Sequence, residues 1–195
     1  MMLYLVRHGQ SEGNVLKSFH GQTDYPLTPL GREQAARAGE KLREVAFSRC
    51  LASDLSRAWE TARICLAGRD VPIEPAPDLR EQDIGALEGL SWEEMEARFP
   101  VQLRTYLEDW WSLCPPGGES PAEMTARVER CLRGVLDRGE DTLLVAHNGS
   151  LTLILELLGL ADRSQLLKPG WFFAQGTYTA IAAEPGGARL VCFNR

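Results

Sequence analysis

Two short apolar runs, each leading directly into a histidine, constrain the fold of this chain more than any other feature. Residues 3–6 (Leu-Tyr-Leu-Val) lead into Arg7 and His8, and residues 142–146 (Thr-Leu-Leu-Val-Ala) lead into His147. Apolar runs this short, closed by turn residues, are typical of strands buried on both faces of a sheet that helices cover. Because chemistry in open α/β sheets gathers beyond the carboxyl ends of such strands, we expect both histidines at the mouth of one crevice.

Helical stripes and further strands alternate with these two runs. The helical stripes span 35–45, 58–66, 124–135 and 151–158, a second strand is expected at 46–53, and 177–183 and 189–193 are expected to form a hairpin across Pro185-Gly186-Gly187. Strands interleaved with helices predict an α/β fold, a three-layer αβα sandwich. The closing hairpin makes the predicted sheet mixed, although mostly parallel. A length of 195 residues predicts a single domain over residues 1–195.

Local signals divide the rest of the chain. Residues 9–27 are polar and rich in turn residues, so we interpret them as a functional loop without periodicity. Thr28, followed by proline, is typical of a helix start. Ser91 and Ser120 each stand three residues before a glutamate, which is the capping-box pattern. The aromatic-rich segment at about 90–118 is predicted to be a small helical cap inserted over the crevice.

Composition excludes several classes of function. The net charge of −6 argues against a nucleic-acid partner. The five cysteines include no C-x-x-C pair, so we expect reduced, buried thiols. No run has the length of a membrane span or the features of a signal peptide, so we expect a cytoplasmic protein without a membrane partner. No metal-ligand spacing such as H-E-x-x-H occurs, and Asn148-Gly149-Ser150 is not a serine-hydrolase elbow, so no metal ion or cofactor is expected.

A third strand end adds a second arginine to the predicted site. Arg57 follows the strand expected at 46–53. One such histidine is more often a hydrogen-bonded core residue, and one such arginine is as often an ion-pair partner. Two of each, converging on one point, favour a site for a phosphoryl group, whose charged oxygens accept paired and directional donors. A neutral imidazole can attack phosphorus and form a phosphohistidine.

A phosphoryl transfer of this kind also needs a proton for the leaving alkoxide. A carboxyl group kept neutral by its surroundings can supply that proton. The segment 79–89 contains three candidates, Glu81, Asp83 and Glu88, and physical reasoning alone leaves the choice among them open.

Five motifs, in the right order from residue 3 to about 158, resemble those of the histidine phosphatase superfamily, also called the phosphoglycerate mutase-like family. The motifs are Arg7-His8-Gly9 with Asn14, the stretch Gly21–Gly31, the Ser-Asp-Leu-x-Arg-Ala-x-x-Thr-Ala segment at 53–62, the Leu-Arg-Glu…Gly-x-x-Glu-Gly segment at 79–89, and Val145–Gly149. One departure is Gln10-Ser11, where many members have Glu-Thr after the Arg-His-Gly triplet.

The resemblance implies a role for each matching residue. His8 corresponds to the phosphorylated nucleophile and Glu81 to the proton donor, which selects one of the three carboxylates. The implied phosphate clamp consists of Arg7, Arg57 and His147, joined by Asn14. Gly21 and Gln22 correspond to a substrate-contacting loop, and the backbone N–H groups of Asn148 and Gly149 are expected to add to the pocket at a helix start.

Three functions remain to be distinguished. The first is a metal-independent phosphomonoesterase acting on a small phosphate ester. The second is a phosphoglycerate mutase-type isomerase, although the larger insertion and C-terminal tail of the cofactor-dependent mutases are not expected here. The third is a non-catalytic binding protein, which has no need of both a nucleophile and an acid.

The segment Cys114–Ser120 resembles the α-ribazole 5′-phosphate phosphatases and also broad-specificity phosphatases of sugar acids. The sequence leaves a homodimer open.

Overall fold

The computed structural model describes residues 1–166, 168–184 and 186–195 of the chain. The strands are β1 (Met2–Arg7), β2 (Arg49–Ala52), β3 (Ile73–Pro75), β4 (Thr142–Ala146), β5 (Thr179–Glu184) and β6 (Gly187–Cys192). The helices are α1 (Glu12–Leu16), α2 (Pro29–Lys41), α3 (Ser56–Cys65), α4 (Trp92–Arg98), α5 (Pro100–Asp109), α6 (Pro121–Arg138), α7 (Asn148–Leu157) and α8 (Arg163–Leu166). Short 3₁₀ turns lie at Pro77–Leu79, Gly85–Leu87, Trp110–Ser112 and Pro169–Trp171.

The described strands form one sheet in the order β3-β2-β4-β1-β5-β6. The first three neighbouring pairs are parallel, and the pairs β1-β5 and β5-β6 are antiparallel. This arrangement confirms the predicted α/β fold with a mostly parallel, mixed sheet. Strands β1 and β4 lie side by side with Arg7 opposite Ala146, so His8 and His147 leave the sheet at the same edge.

Alternating side chains of the central strands build a separate core on each face of the sheet. On one face, Leu3 and Leu144 pack with residues of α6 and α7 such as Val128 and Leu151. On the other face, Val145 and its neighbours pack with residues of α2 and α3. Both faces are therefore covered by helices, which confirms the three-layer sandwich and explains why β1 and β4 have no polar face.

A third, smaller core attaches the segment after α3 to the helices α4 and α5. It contains Ile84, Leu87 and Leu90 from the segment 79–90, Met95 from α4, and Phe19 from the loop after α1. The two capping boxes predicted at Ser91 and Ser120 begin α4 and α6 as expected. Thr28 caps α2 by accepting a hydrogen bond from the backbone N–H of Gly31.

The structure differs from the sequence-based predictions in two details. Residues 9–27 are not wholly irregular, because five of them form α1, which ends at Lys17 in a left-handed conformation with a φ of 54°. The second strand is shorter than the predicted 46–53. The C-terminal hairpin is present, but Pro185 of its turn lies outside the described residues. No helix in the described parts of the chain is both long and apolar enough to cross a membrane.

Candidate active site

His8 stands directly after β1 and is held by its own neighbour. Its Nδ1 lies 2.7 Å from the carbonyl oxygen of Gly9. A carbonyl only accepts hydrogen bonds, so Nδ1 carries a proton, and in the neutral ring Nε2 then keeps a free electron pair. The ring is 4 % exposed, and its pKa is lowered well below the usual value, first by burial and then by the charges of Arg57 and Arg7. His8 is therefore a neutral imidazole with Nε2 available as a nucleophile at neutral pH.

His147 follows β4 in the same way and faces His8. The two ring centroids are 5.0 Å apart. The Nε2 atom of His147 lies 2.8 Å from the Oγ atom of Ser53, a fully buried residue just after β2. Burial, followed by the neighbouring positive charges, lowers the pKa of His147 well below its usual value. Its Nδ1 atom is buried and has no hydrogen-bond partner among the described residues.

Both predicted arginines lie at the site: Arg57 is buried and Arg7 is half-buried. Arg57, on the first turn of α3, is 1 % exposed and donates to the carbonyl oxygens of Gly21 and Thr23. Arg7 donates to the carbonyl oxygen of Phe173. Burial lowers the pKa of each guanidinium, and the charge of Glu81 partly offsets that effect. The Nε atoms of both arginines are buried without a partner in the described part of the chain.

The three residues that carry these unsatisfied atoms, Arg7, Arg57 and His147, line one cavity. Buried polar groups are normally hydrogen-bonded, since leaving one unpaired costs about 1–3 kcal/mol. Two arginine Nε–H groups and one histidine ring nitrogen therefore have no partner, in described residues that line the same cavity as His8. The two guanidiniums give this pocket a positive charge. Such a pocket suits an anion with several oxygens, as a phosphoryl group has.

Glu81 is the carboxylate that reaches this cavity. Its Oε2 accepts a hydrogen bond of 3.0 Å from the backbone N–H of Gly149, at the start of α7. Asp83 accepts instead from the N–H of Gly85 in its own turn. Glu88 accepts from the N–H groups of Gly21 and Gln22, where it shapes the loop. Of these three carboxylates, Glu81 lines the cavity, whereas Asp83 and Glu88 do not.

The cavity measures about 480 Å³, within the range of small-molecule sites. Beyond the charged end, its walls are mainly aromatic and aliphatic side chains. They include Phe19, Trp92, Tyr106, Trp110, Leu113 and Phe172. Tyr106 has a raised pKa because of burial and the nearby charge of Glu81. Three of these side chains come from α4, α5 and the turn that follows them, so the predicted cap segment contributes one wall.

Of the remaining predicted site residues, four line the cavity and Gln22 does not. Asn14, Gly21, Asn148 and Gly149 line the cavity, although the Oδ1 atom of Asn148 is occupied by the N–H of Phe173. Gln22 is not among the lining residues. Its side-chain amide donates to the carbonyl oxygen of Glu81, so its contact with the site passes through the acid's backbone.

Ser53 and Thr61 also support the site through hydrogen bonds, and neither residue was predicted from the sequence. Thr61 accepts a hydrogen bond from the N–H of Gly9 and donates to the carbonyl oxygen of Arg57, so it ties the histidine loop to α3. Both residues stand in the 53–62 motif, which was the only signal for them. No group of three or more His, Cys, Asp or Glu residues able to hold a metal ion occurs in residues 1–166, 168–184 and 186–195.

Comparisons with known proteins identify similar proteins and a similar solved structure. The chain is 36% identical, over all of its length and 96% of the relative, to the adenosylcobalamin/alpha-ribazole phosphatase of Salmonella typhimurium. It is 35% identical, over 82% of its length and 76% of the relative, to an Enterobacter protein named "Probable phosphoglycerate mutase GpmB". The crystal structure of the alpha-ribazole phosphatase from Shigella flexneri superposes with a TM-score of 0.91 at 29% identity, covering 100% of this chain and 96% of that one.

The family model of the histidine phosphatase superfamily (branch 1) matches residues 3–195. This match includes the five motifs and extends beyond them to the C-terminal hairpin. Together with the strand-end histidines and the two arginines, it confirms the resemblance seen in the sequence: the chain belongs to the histidine phosphatase superfamily.

Proposed function

We propose that this enzyme hydrolyses a small phosphate monoester, without a metal ion, through a phosphohistidine on Nε2 of His8. The observation that carries the proposal is the bond from Nδ1 of the neutral His8 ring to the carbonyl of Gly9, which leaves the electron pair on Nε2 in a cavity lined by Arg7 and Arg57. Arg7 and Arg57 supply the positive charge that phosphoryl transfer requires.

In the first step, Nε2 of His8 attacks phosphorus and a P–N bond forms. The bond from phosphorus to the ester oxygen breaks, and that oxygen keeps the electron pair. The carboxyl group of Glu81 transfers its proton to the leaving oxygen, so the product leaves as an alcohol. Arg7, Arg57 and His147 hold the non-bridging oxygens, on which negative charge is spread in the transition state.

In the second step, water attacks phosphorus of the phosphohistidine and the P–N bond breaks. The electron pair returns to Nε2 of His8, and the carboxylate of Glu81 accepts a proton from the attacking water. Inorganic phosphate is released, and both residues return to their starting states.

The shape of the cavity supports a substrate with an apolar, planar group beside its phosphate. A phosphoryl group fills only the charged end, and aromatic side chains such as Trp92 and Tyr106 form the remaining wall. Flat rings stack favourably against such side chains. The relatives named adenosylcobalamin/alpha-ribazole phosphatase support α-ribazole 5′-phosphate as the first substrate to test. A phosphorylated sugar acid is the other candidate that the sequence motifs indicate.

The first experiment measures phosphate release from α-ribazole 5′-phosphate, 3-phosphoglycerate, sugar phosphates and nucleotides in the presence of EDTA. We expect full activity with EDTA and a preference for esters that carry a planar ring. Loss of activity that added metal restores would refute the metal-independent mechanism, and a flat profile would refute the role of the aromatic wall.

The nucleophile is tested by His8→Ala, which removes Nε2 while leaving the surrounding core in place. We expect no phosphate release above background and no phosphoramidate signal in ³¹P NMR after acid-free quenching. Far-UV circular dichroism should match that of the parent enzyme. Turnover at the parental rate in this variant would exclude His8 as the nucleophile.

A mutase remains the second candidate, because several relatives named "Probable phosphoglycerate mutase GpmB" match 82% of this chain. The two activities differ in the fate of the phosphoryl group: a phosphatase passes it to water, whereas a mutase must exclude water and return it to the substrate. Incubation with 3-phosphoglycerate separates them. We expect inorganic phosphate, and formation of 2-phosphoglycerate without phosphate release would favour the mutase.

A further inference from the structure

One arginine of α6 donates hydrogen bonds to the backbone that carries Glu81. Arg127 donates through Nη1 to the carbonyl oxygens of Asp78 and Arg80, at 2.8 and 2.6 Å, and through Nη2 to the carbonyl oxygen of Glu81, at 2.9 Å. A carbonyl that faces a guanidinium is held in a fixed direction, because the donors are coplanar and rigidly spaced. Three carbonyls within four residues therefore have their orientation set by one side chain.

The guanidinium of Arg127 is itself oriented by Glu119. The two carboxylate oxygens accept from Nε at 2.6 Å and from the second Nη2 hydrogen at 2.7 Å. All five N–H groups of Arg127 are thus engaged, and the two side chains are only 12% and 14% exposed. A pair this shielded from water, with every donor satisfied, is rigid rather than a loose surface contact.

The segment that brings in Glu119 packs directly on the backbone after Glu81. The N–H of Glu119 donates to the carbonyl oxygen of Asp83, and the N–H of Ala86 donates to that of Pro116. The two stretches approach so closely that a Cβ atom on Gly118 would lie 2.5 Å from the carbonyl oxygen of Asp83. The Pro-Pro-Gly-Gly-Glu sequence at 115–119 therefore provides the close approach that delivers Glu119 to Arg127.

We infer that Arg127, oriented by Glu119, is a positioning residue that sets where the carboxyl group of Glu81 stands. The inference rests on the proposed role of Glu81 as proton donor. Gln22 and Gly149 also contact Glu81, but each contributes one hydrogen bond, whereas Arg127 holds the carbonyl of Glu81 and two of the three carbonyls before it. Arg127 acts through the backbone and does not touch the reacting phosphoryl group in this proposal.

The consequence is a specific kinetic signature. Proton transfer needs the donor within hydrogen-bond reach of the leaving oxygen, and a misplacement of about 1 Å costs on the order of 10²-fold in rate. That loss falls on esters whose leaving group needs a proton. It spares p-nitrophenyl phosphate, because nitrophenolate leaves without one. A general weakening of the fold or of the phosphate pocket lowers both activities alike.

The test compares kcat/KM for an alkyl phosphate and for p-nitrophenyl phosphate in Arg127→Met and in Glu81→Gln. We expect Arg127→Met to lose about 10- to 100-fold on the alkyl ester and less than about 3-fold on the aryl ester. The double variant should lose no more on the alkyl ester than Glu81→Gln alone, since a displaced acid cannot be displaced further.

Arg130→Met is the matched control on the same helix. Arg130 pairs with the side chain of Asp78, is 66% exposed, and makes no described bond to Glu81. We expect both of its activities to stay within about 2-fold of the parent enzyme, as is typical of an exposed ion pair. If Arg130→Met reproduces the selective loss, the effect belongs to α6 as a whole and the assignment to Arg127 fails.

Glu119→Gln keeps the size of the side chain and tests the same arrangement if Arg127→Met does not fold. It should show a smaller loss with the same preference for the alkyl ester. Equal losses on both esters in folded variants would overturn the positioning role. If Glu81→Gln itself shows equal losses, then the proton-donor role fails first, which separates the failure of the proposed function from that of this inference.

Discussion

At the scale of single residues, the acid and the start of α7 fit together because Gly149 has no side chain. Its N–H donates to Oε2 of Glu81, and a Cβ atom in its place would lie 2.2 Å from Oε1 of the same carboxyl. The backbone of Gly149 has an ordinary negative φ, so the requirement for glycine here is one of space and not of conformation. A residue of any other type must push Glu81 away from the cavity.

Gly149→Ala should therefore displace the acid without unfolding the helix. We expect kcat/KM for an alkyl phosphate to fall at least about 10-fold, while hydrolysis of p-nitrophenyl phosphate changes much less. Steady-state kinetics on both esters measure this. Gly134→Ala on α6 is the matched control, because a Cβ there meets no atom within 4 Å, and it should raise stability by about 0.5–1 kcal/mol. Unchanged alkyl-ester kinetics in Gly149→Ala would contradict the fit.

At the scale of elements, short helices near the cavity depend on their caps. The helix α4 has seven residues, and only Met95 of them is buried. A helix this short is not stable by itself, so its ends and its few tertiary contacts decide whether it forms. Ser91 accepts from the N–H of Glu94, and the carboxylate of Glu94 accepts from the N–H of Ser91. The capping box therefore supports the element that places Trp92 in the cavity wall.

Replacing the cap with alanine should loosen this element. We expect Ser91→Ala to lower the free energy of unfolding by about 1 kcal/mol, measured by urea denaturation, because one helix-start N–H loses its acceptor. Ser91→Asp keeps an acceptor and should stay near the parent stability. Turnover of p-nitrophenyl phosphate should be unchanged in both. If Ser91→Ala and Ser91→Asp are destabilised equally, the cap is not the cause.

At the scale of the whole molecule, burying two histidines makes stability depend on pH. Both His8 and His147 have pKa values lowered well below the usual value of the unfolded chain, which is about 6.5. Below about pH 6.5 the unfolded chain therefore binds protons that the folded protein does not. Stability must fall as the pH falls from about 6.5 towards the folded pKa values, and it is not affected by these groups above that window.

The size of this effect is testable by removing one titrating group. Each histidine adds at most about 1.4 kcal/mol per pH unit to the slope of unfolding free energy in this window. We expect His8→Asn, whose amide can still donate to the carbonyl of Gly9, to show a smaller slope between pH 6.5 and 5 than the parent protein. Urea titrations at several pH values measure the slope. An identical slope in both proteins would show that His8 is not kept neutral by the fold.

Local patterns were sufficient for features that depend on near neighbours in the chain. The strands β1 and β4 follow from apolar runs, and the helix starts after Ser91 and Ser120 follow from residues three positions apart. The helix α1 was missed because five residues are too few to show a period, and its cap partner at the third position is Asn14 in place of a glutamate or glutamine. The hydroxyl of Ser53 beside His147 was not identified for another reason: 94 positions separate the two residues in the chain.

The sequence by itself determined the layered α/β fold, the strand-end positions of His8 and His147, and, through family motifs, the set of residues to examine. The reason is that burial and capping act over a few residues and leave a readable pattern. Only the tertiary structure decided that Glu81 faces the cavity while Glu88 turns to the loop, and that Nε2 of His8 is free. These outcomes depend on hydrogen bonds between segments such as α7 and residues 79–89, whose geometry no local pattern contains.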